Sequence, residues 1–278
     1  MSRWRLRHAL RLLLPLLLAL VLAPGATARA DEVRHLGFSP KIELPLLGIG
    51  TVTWMVSEAL KPELAPAECR LCGVHGPDAW VQPRVRWGNV EPAHRASDVM
   101  LMGVVPAAAY GGALALALGH GTRRTALVDV VILTEALVLT ANLTQLTKLL
   151  VGRERPFVHT QRAERRDFVA GSDDHLSFFS GHTSSTFTLA VAAATTATLR
   201  GYREAPFVWA AGLPLAALTG YLRMAADRHY LTDVLTGALV GSAVGVLVPW
   251  LHSLGGDGGP TMTVGGQPPG TLSLTWVR

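Results

Sequence analysis

Charge is what this sequence has little of. Asp, Glu, Lys and Arg make up 16% of its 278 residues, against about 25% in an ordinary soluble domain. With a mean hydropathy of +0.31, that scarcity points to a membrane protein or a very apolar helical core. Acidic residues are missing altogether from positions 1–30, which hold Arg3, Arg5, Arg7, Arg11 and Arg29. Without those five arginines the chain has 20 basic and 20 acidic residues, so the formal charge of +5 belongs to the N-terminal segment. The rest lacks the basic footprint of a nucleic-acid-binding domain, and no nucleic-acid partner is expected.

Cysteine is nearly absent too. Cys69 and Cys72, in "ECRLCG", are the only two. Their flanks lack the strand–helix pattern of a redox-active CxxC. With His75 they make at most three nearby ligands, one short of a structural zinc site. A structural disulfide or a pair of free thiols is the expectation, and no metal site is expected.

The N-terminal arginines precede a short apolar run, Leu12–Ala23, and a small-x-small tripeptide, Ala28–Ala30. This is the layout of a secretory signal peptide over 1–30, since the run is short for a span. Residues 31–98 are read as an exported N-terminal segment. Leu44–Val56 is apolar but short, and Lys61–His94, rich in Pro, Gly and Trp, reads as irregular structure.

No convincing strand pattern appears there, and from Val99 onward long apolar runs dominate. Val99–Leu118, Ala126–Leu150, Ser184–Leu199, Ala205–Leu222 and Val234–Leu251 each approach the roughly 20 residues of a membrane-spanning helix. They are rich in Ala, Gly and Thr, as closely packed membrane helices are. The expected fold is therefore all-α: a helical bundle with several membrane spans, its catalytic domain over 99–253. A Gly/Pro-rich tail covers 254–278, with a short β-hairpin expected at Thr261–Arg278.

Arg123, Arg124, Arg200 and Arg203 lie in two short connections, whereas Val151–Thr183 is long and polar. The positive-inside tendency places the short loops in the cytoplasm and the long one outside. That fits an exported N-terminus only if Leu44–Val56 does not span. Asp129 and Glu135 are costly inside lipid, and they favour the alternative of a soluble periplasmic bundle.

Three polar clusters interrupt the apolar pattern. In "KLLVGRERP", Lys148 and Arg155 are seven residues apart, two helical turns, with Pro156 placed to stop the helix. In "SFFSGHTSS", Ser180, Gly181 and His182 open a helical run. Thr183, Ser184 or Ser185 is available as N-cap, and the free N–H groups make an anion site. In "RMAADRHYLTD", Arg223 is followed by His229 and Asp233 at i, i+4 spacing, so one helix face could present an imidazole backed by a carboxylate. In an alternating bundle these clusters fall at the same end. Cations, backbone donors and two histidines together are equipment for phosphoryl transfer.

These residues resemble the type 2 phosphatidic acid phosphatase (PAP2)/vanadium haloperoxidase superfamily, whose signature is K-x6-RP, PSGH and SR-x5-H-x3-D. Lys148, Arg155 and Pro156 match the first part. Ser180, Gly181 and His182 match the second, with Phe179 in place of proline. Arg223, His229 and Asp233 match the third, with Leu222 in place of serine. The resemblance covers roughly Val99 to Leu251. It implies a helical bundle and a reaction that needs no metal or cofactor. His229 would be the nucleophile forming a phosphohistidine, oriented by Asp233. Lys148, Arg155, Arg223, Ser180 and the Gly181 N–H would hold the phosphate, and His182 would act as acid, then base.

The function so implied is a phosphatase acting on a lipid phosphate or pyrophosphate, at a bacterial inner membrane, with its site facing the periplasm. Phosphatidate, phosphatidylglycerophosphate, undecaprenyl pyrophosphate and lipid A phosphates are candidate substrates. The alternatives are a soluble acid phosphatase, a haloperoxidase holding vanadate in the same cage, and a membrane protein that binds lipid phosphate without turnover.

Overall fold

The structure is a computed structural model that describes residues 33–164 and 167–255. The signal segment expected at 1–30 and the hairpin expected at Thr261–Arg278 lie outside the described residues. Helix α1 spans Pro40–Ala59, α2 Pro77–Val85 and α3 Glu91–Val99; α3 runs through a π turn, Met100–Val104, into α4, Val105–His120. There follow α5 (Arg123–Val151), α6 (Pro156–Glu164), α7 (Gly181–Arg200), α8 (Ala205–Ala225) and α9 (Leu231–Leu254). Among the described residues the fold is all-α, with one isolated bridge between Leu71 and Arg153.

Local chemistry sets several of these boundaries. Thr122 caps α5, its Oγ1 accepting the Thr125 N–H at 3.2 Å. Gly152 and Gly201 end α5 and α7 in left-handed conformation, with φ of 57° and 79°, where a glycine avoids the Cβ penalty.

Helix α7 is the axis of the bundle. Of its 20 residues 14 are buried, so it is covered by protein all round. Small Ala, Thr and Ser side chains permit this, and α9 turns Gly237, Gly241 and Gly245 toward it. A Cβ at Gly241 would lie 2.2 Å from the Ser184 carbonyl oxygen, and one at Gly245 2.9 Å from that of Thr188. Glycine every fourth residue thus lets the two backbones touch, as in helix pairs within lipid.

Among the described residues, four helices around this axis are long and apolar enough to cross a membrane: Glu91–His120, Arg123–Val151, Ala205–Ala225 and Leu231–Leu254. Their outward faces carry Leu118, Leu127, Leu150, Phe207 and Leu239, all exposed, as a lipid-facing surface requires. The run Ser184–Leu199, expected as another span, is the buried centre that these helices cover. Asp129 and Glu135 do not argue against a membrane. Asp129 Oδ1 receives the Arg200 guanidinium at 2.5 and 3.0 Å, and Glu135 Oε2 lies 2.7 Å from His252 Nε2. Both acids are paired inside the bundle, the arrangement that intramembrane carboxylates need.

Within the N-terminal segment, Lys61–His94 departs in part from the irregular structure expected of it. Leu44–Val56 lies within the 20-residue helix α1, which runs beside α5. Near its start, Gly37 exchanges hydrogen bonds with His252 at the end of α9. At mid-length the Asn142 amide donates to the Gly50 carbonyl at 2.9 Å. Near its end, the Gln145 amide donates to Glu58 at 3.1 Å. Within Lys61–His94, α2 and the start of α3 are helical, and α3 begins at Glu91 rather than at the first apolar residue, Val99. Residues 33–98 pack into the same unit as the rest of the described chain.

Candidate active site

The end of α5, the start of α7, the end of α8 and the start of α9 meet at one end of the bundle, and the predicted residues meet with them. The local geometry corrects four details. Lys148 and Arg155 do not share a helix face, because Gly152 ends α5 and Arg155 stands in the connection beyond it. Pro156 starts α6 rather than stopping α5, a position where its missing N–H costs nothing. His229 and Asp233 are likewise on different elements. His229 lies in the α8–α9 connection, and Asp233 is in the first turn of α9, accepting the Tyr230 N–H at 3.0 Å in the manner of a capping box.

The N-cap of α7 is Ser180 itself, not a residue after Gly181. Its Oγ accepts from Thr183 Oγ1 at 2.9 Å and from the Thr183 N–H at 3.4 Å, which leaves its own O–H free to donate. The Ser180 N–H donates to the Asp233 carbonyl at 3.1 Å, tying α7 to α9. Lys148 lies beside Gly181: a Cβ built there would stand 3.6 Å from Lys148 Nζ, an ordinary contact. The two departures from the family pattern, Phe179 and Leu222, are both buried, and Leu222 belongs to the hydrophobic core.

His229 is 2% exposed. Burial first, then the Arg223, Arg155 and Lys148 cations, push its imidazole well below 6.5. It is therefore neutral at pH 7, with a lone pair to offer. Its Nδ1 lies 3.6 Å from Asp233 Oδ2, too far for a hydrogen bond. Asp233 is committed elsewhere: Oδ2 also accepts from Ser177 Oγ at 2.6 Å, and Oδ1 takes Arg153 Nη1 at 2.5 Å. Asp173 faces Arg155, with its Oδ2 3.2 Å from Nη2. Burial alone would raise that carboxyl, but Arg155, Lys61 and Lys148 together hold it below its ordinary range.

Several residues in this cluster escaped sequence reasoning. Asp98 of α3 lies 2.7 Å from His182 Nε2 and 3.5 Å from Arg223 Nη1. Ser97 Oγ accepts from Arg223 Nη1 at 3.1 Å. Arg153 bridges Asp233 to a buried Asp78, with Nη2 to Oδ2 at 2.7 Å. Asp78, Ser97 and Asp98 lie far upstream of the clusters, and nothing in their local spacing marks them. Arg153 sits inside "GRERP", where it reads as one more cation. Among the described residues, no group of three His, Cys, Asp or Glu converges as a metal-ligand set. A cavity of about 350 Å³ lined by His35, Arg124 and Arg200 opens at the opposite end, where the Arg200 guanidinium is already paired with Asp129.

Fold and site together describe an α-helical membrane protein with cations and two histidines gathered at one end. The family model of the PAP2 superfamily matches residues 129–255, somewhat under half of the chain. The chain is also similar to a lipid A 1-phosphatase of Porphyromonas gingivalis, 40% identical over 78 residues. That stretch is 28% of this chain and only 17% of the relative. No solved structure matches the chain.

Proposed function

We propose that the protein removes phosphate from a membrane lipid through a covalent phosphohistidine, without a metal. The observation that carries this reading is the neutral, buried His229 ringed by Arg223, Arg155 and Lys148, beside a second histidine held by Asp98. The phosphoryl oxygens would lie among these three cations, the Ser180 hydroxyl and the N–H groups that open α7, where developing charge is best stabilised. With Nδ1 toward Asp233, Nε2 is the nucleophile: the N–P bond forms as the P–O bond to the lipid breaks. His182 gives its proton to the departing alkoxide. It then takes a proton from the water that attacks the phosphohistidine, releasing inorganic phosphate and restoring both histidines.

Asp98 is a positioning residue in this scheme: burial, then Arg223, hold the His182 imidazole well below 6.5, and the Asp98 carboxylate on its Nε2 is the contact that works against them. Asp98→Asn is expected to lower kcat by about 100-fold for a lipid alkyl phosphate, the scale of general-acid catalysis. The loss is expected to be far smaller for a nitrophenyl phosphate, whose leaving group needs no proton. Equal losses on both substrates would remove the acid role.

We place the site on the exported side. The Cys69–Cys72 disulfide lies at the site end and belongs to an oxidising compartment, while Arg123 and Arg124 lie at the other end, as cytoplasmic loops do. Because α1 runs the length of α5, residues 33–39 then stand on the cytoplasmic side: the Arg34 N–H donates to the Arg200 carbonyl at that end. A leader cleaved after Ala30 would put them on the other side, so we infer that the 1–30 segment is retained.

As substrate, a lipid A phosphate is the first choice, by likeness to the P. gingivalis lipid A 1-phosphatase. The test is phosphate release by the purified chain, with chelator present, from lipid A, phosphatidate, an isoprenyl pyrophosphate and an aryl phosphate. Release from lipid A above the others is the expected result. Preference for the aryl phosphate would overturn the lipid assignment, and vanadate-dependent bromide oxidation without phosphate release would overturn the reaction.

A further inference from the structure

A short loop from outside the matched region is bonded to the backbone that carries the cage. Cys69 and Cys72 close this loop by a disulfide, and Leu71 and Arg153 form the parallel bridge. The Arg70 N–H donates to the Gly152 carbonyl at 2.9 Å, and the Glu154 N–H donates to that of Leu71 at 3.1 Å. Gly152–Glu154 is the stretch between Lys148 and Arg155. The Arg70 guanidinium reaches back to the last turn of α5, donating to the Leu150 carbonyl at 2.8 Å, two residues beyond Lys148. There a cation also complements the helix dipole.

The fit is close on both sides of the loop. A Cβ at Gly152 would lie 3.0 Å from Pro66 Cγ and 3.2 Å from Arg70 Cγ, so the left-handed glycine ends the helix and also admits the loop. On its other side, the Pro66 carbonyl is 3.1 Å from His175 Nδ1. His175 lies between Asp173, the partner of Arg155, and Ser177, the partner of Asp233. One loop is therefore bonded to both connections that carry the cage.

The loop has little of its own to hold it. Between Ala65 and Asp78 no residue is buried, so packing does not fix its shape, and a covalent closure limits its alternatives. Leu71 and Cys72 are exposed, which leaves the bridge open to reductant.

We propose that the Pro66–Gly73 loop, closed by Cys69–Cys72, is the positioning element that sets Lys148 relative to Arg155 in the phosphate cage. Arg70 and Leu71 are its positioning residues. The inference rests on the phosphatase reading above and concerns a segment that the reading does not use. An added dithiol would deliver two electrons and two protons to the bridge, giving two thiols while closing to its own disulfide. The loop would then lose its fixed form, and the cage its spacing.

The experiment uses the full chain in detergent and compares oxidised wild type, wild type reduced by a dithiol, Cys69→Ser/Cys72→Ser and Arg70→Ala. Its readouts are kcat, KM, inhibition by inorganic phosphate and the melting temperature. Reduction is expected to lower kcat/KM by about 10- to 100-fold, the cost of misplacing a catalytic contact by about 1 Å. Phosphate inhibition should weaken in parallel, while the bundle melts within a few degrees of the oxidised form. Reoxidation should restore wild type, the serine variant should not respond to dithiol, and Arg70→Lys should recover part of the Arg70→Ala loss. Unchanged kcat/KM and phosphate inhibition after reduction would overturn the proposal. So would a loss that merely follows the melting temperature, since a purely structural disulfide predicts that. An oxidised wild type that neither turns over nor binds phosphate would overturn the phosphatase reading, and this proposal with it.

Discussion

Replacing His229 with alanine is expected to cut phosphate release by about 10⁴- to 10⁶-fold, the range seen when a nucleophile is removed. His229 is 2% exposed, and its neutral form is enforced by burial and three cations, so no neighbouring group can replace its lone pair. The imidazole fills space at the meeting of α8 and α9, but Asp233 remains anchored by Arg153, Ser177 and the Tyr230 N–H. The variant should therefore fold and still bind inorganic phosphate. Rapid quenching of wild type in alkali should trap labelled phosphate on the protein, since an N–P bond survives base and is cleaved in acid; His229→Ala should trap none. Turnover that persists in the variant would place the nucleophile elsewhere. A phosphoprotein stable to acid would exclude histidine.

Arg153→Ala should have the largest effect on stability. The Arg153 guanidinium joins Asp78 Oδ2 at 2.7 Å to Asp233 Oδ1 at 2.5 Å, and lies 4.2 Å over the Tyr230 ring. Both carboxylates are essentially excluded from solvent. Removing the cation strands two buried negative charges, at a cost of about 3–5 kcal/mol. For a chain of this size that corresponds to a drop in melting temperature on the order of 10 °C. The comparison is Arg95→Ala, which breaks the ion pair with Glu91; both side chains are exposed, so the variant should melt close to wild type. Adding Asp78→Asn to Arg153→Ala should recover part of the loss, because one stranded charge is gone. Equal effects of Arg153→Ala and Arg95→Ala would show that the buried bridge contributes no more than a surface pair. The same substitution frees Asp233, so the surviving protein should also turn over more slowly.

How much of this was legible beforehand can be judged residue by residue. The apolar lengths and the small-residue content of 99–253 identified an all-α bundle, because a backbone in lipid must bond within its own helix. Lys148, Arg155, Ser180–His182, Arg223, His229 and Asp233 were legible because each sits in a compact run at an apolar boundary. An alternating bundle brings such boundaries to one end whatever its detailed packing.

What the tertiary structure alone decided concerns partners distant in sequence. Asp98 reaches His182 across 84 positions, Asp78 reaches Arg153 across 75, and Leu71 reaches Arg153 across 82. No local periodicity encodes such pairs, since they depend on how α2, α3 and the disulfide loop fold over the end of the bundle. Burial of α7 was hidden for a related reason. A Thr- and Ala-rich helix fits lipid or protein equally well by composition, and only the glycine face of α9 pressed against it settles which. Covalent order along the chain thus determined which side chains were present at each helix end. Their pairing was decided by packing, because a buried charge is stable only where the whole fold supplies its counter-charge.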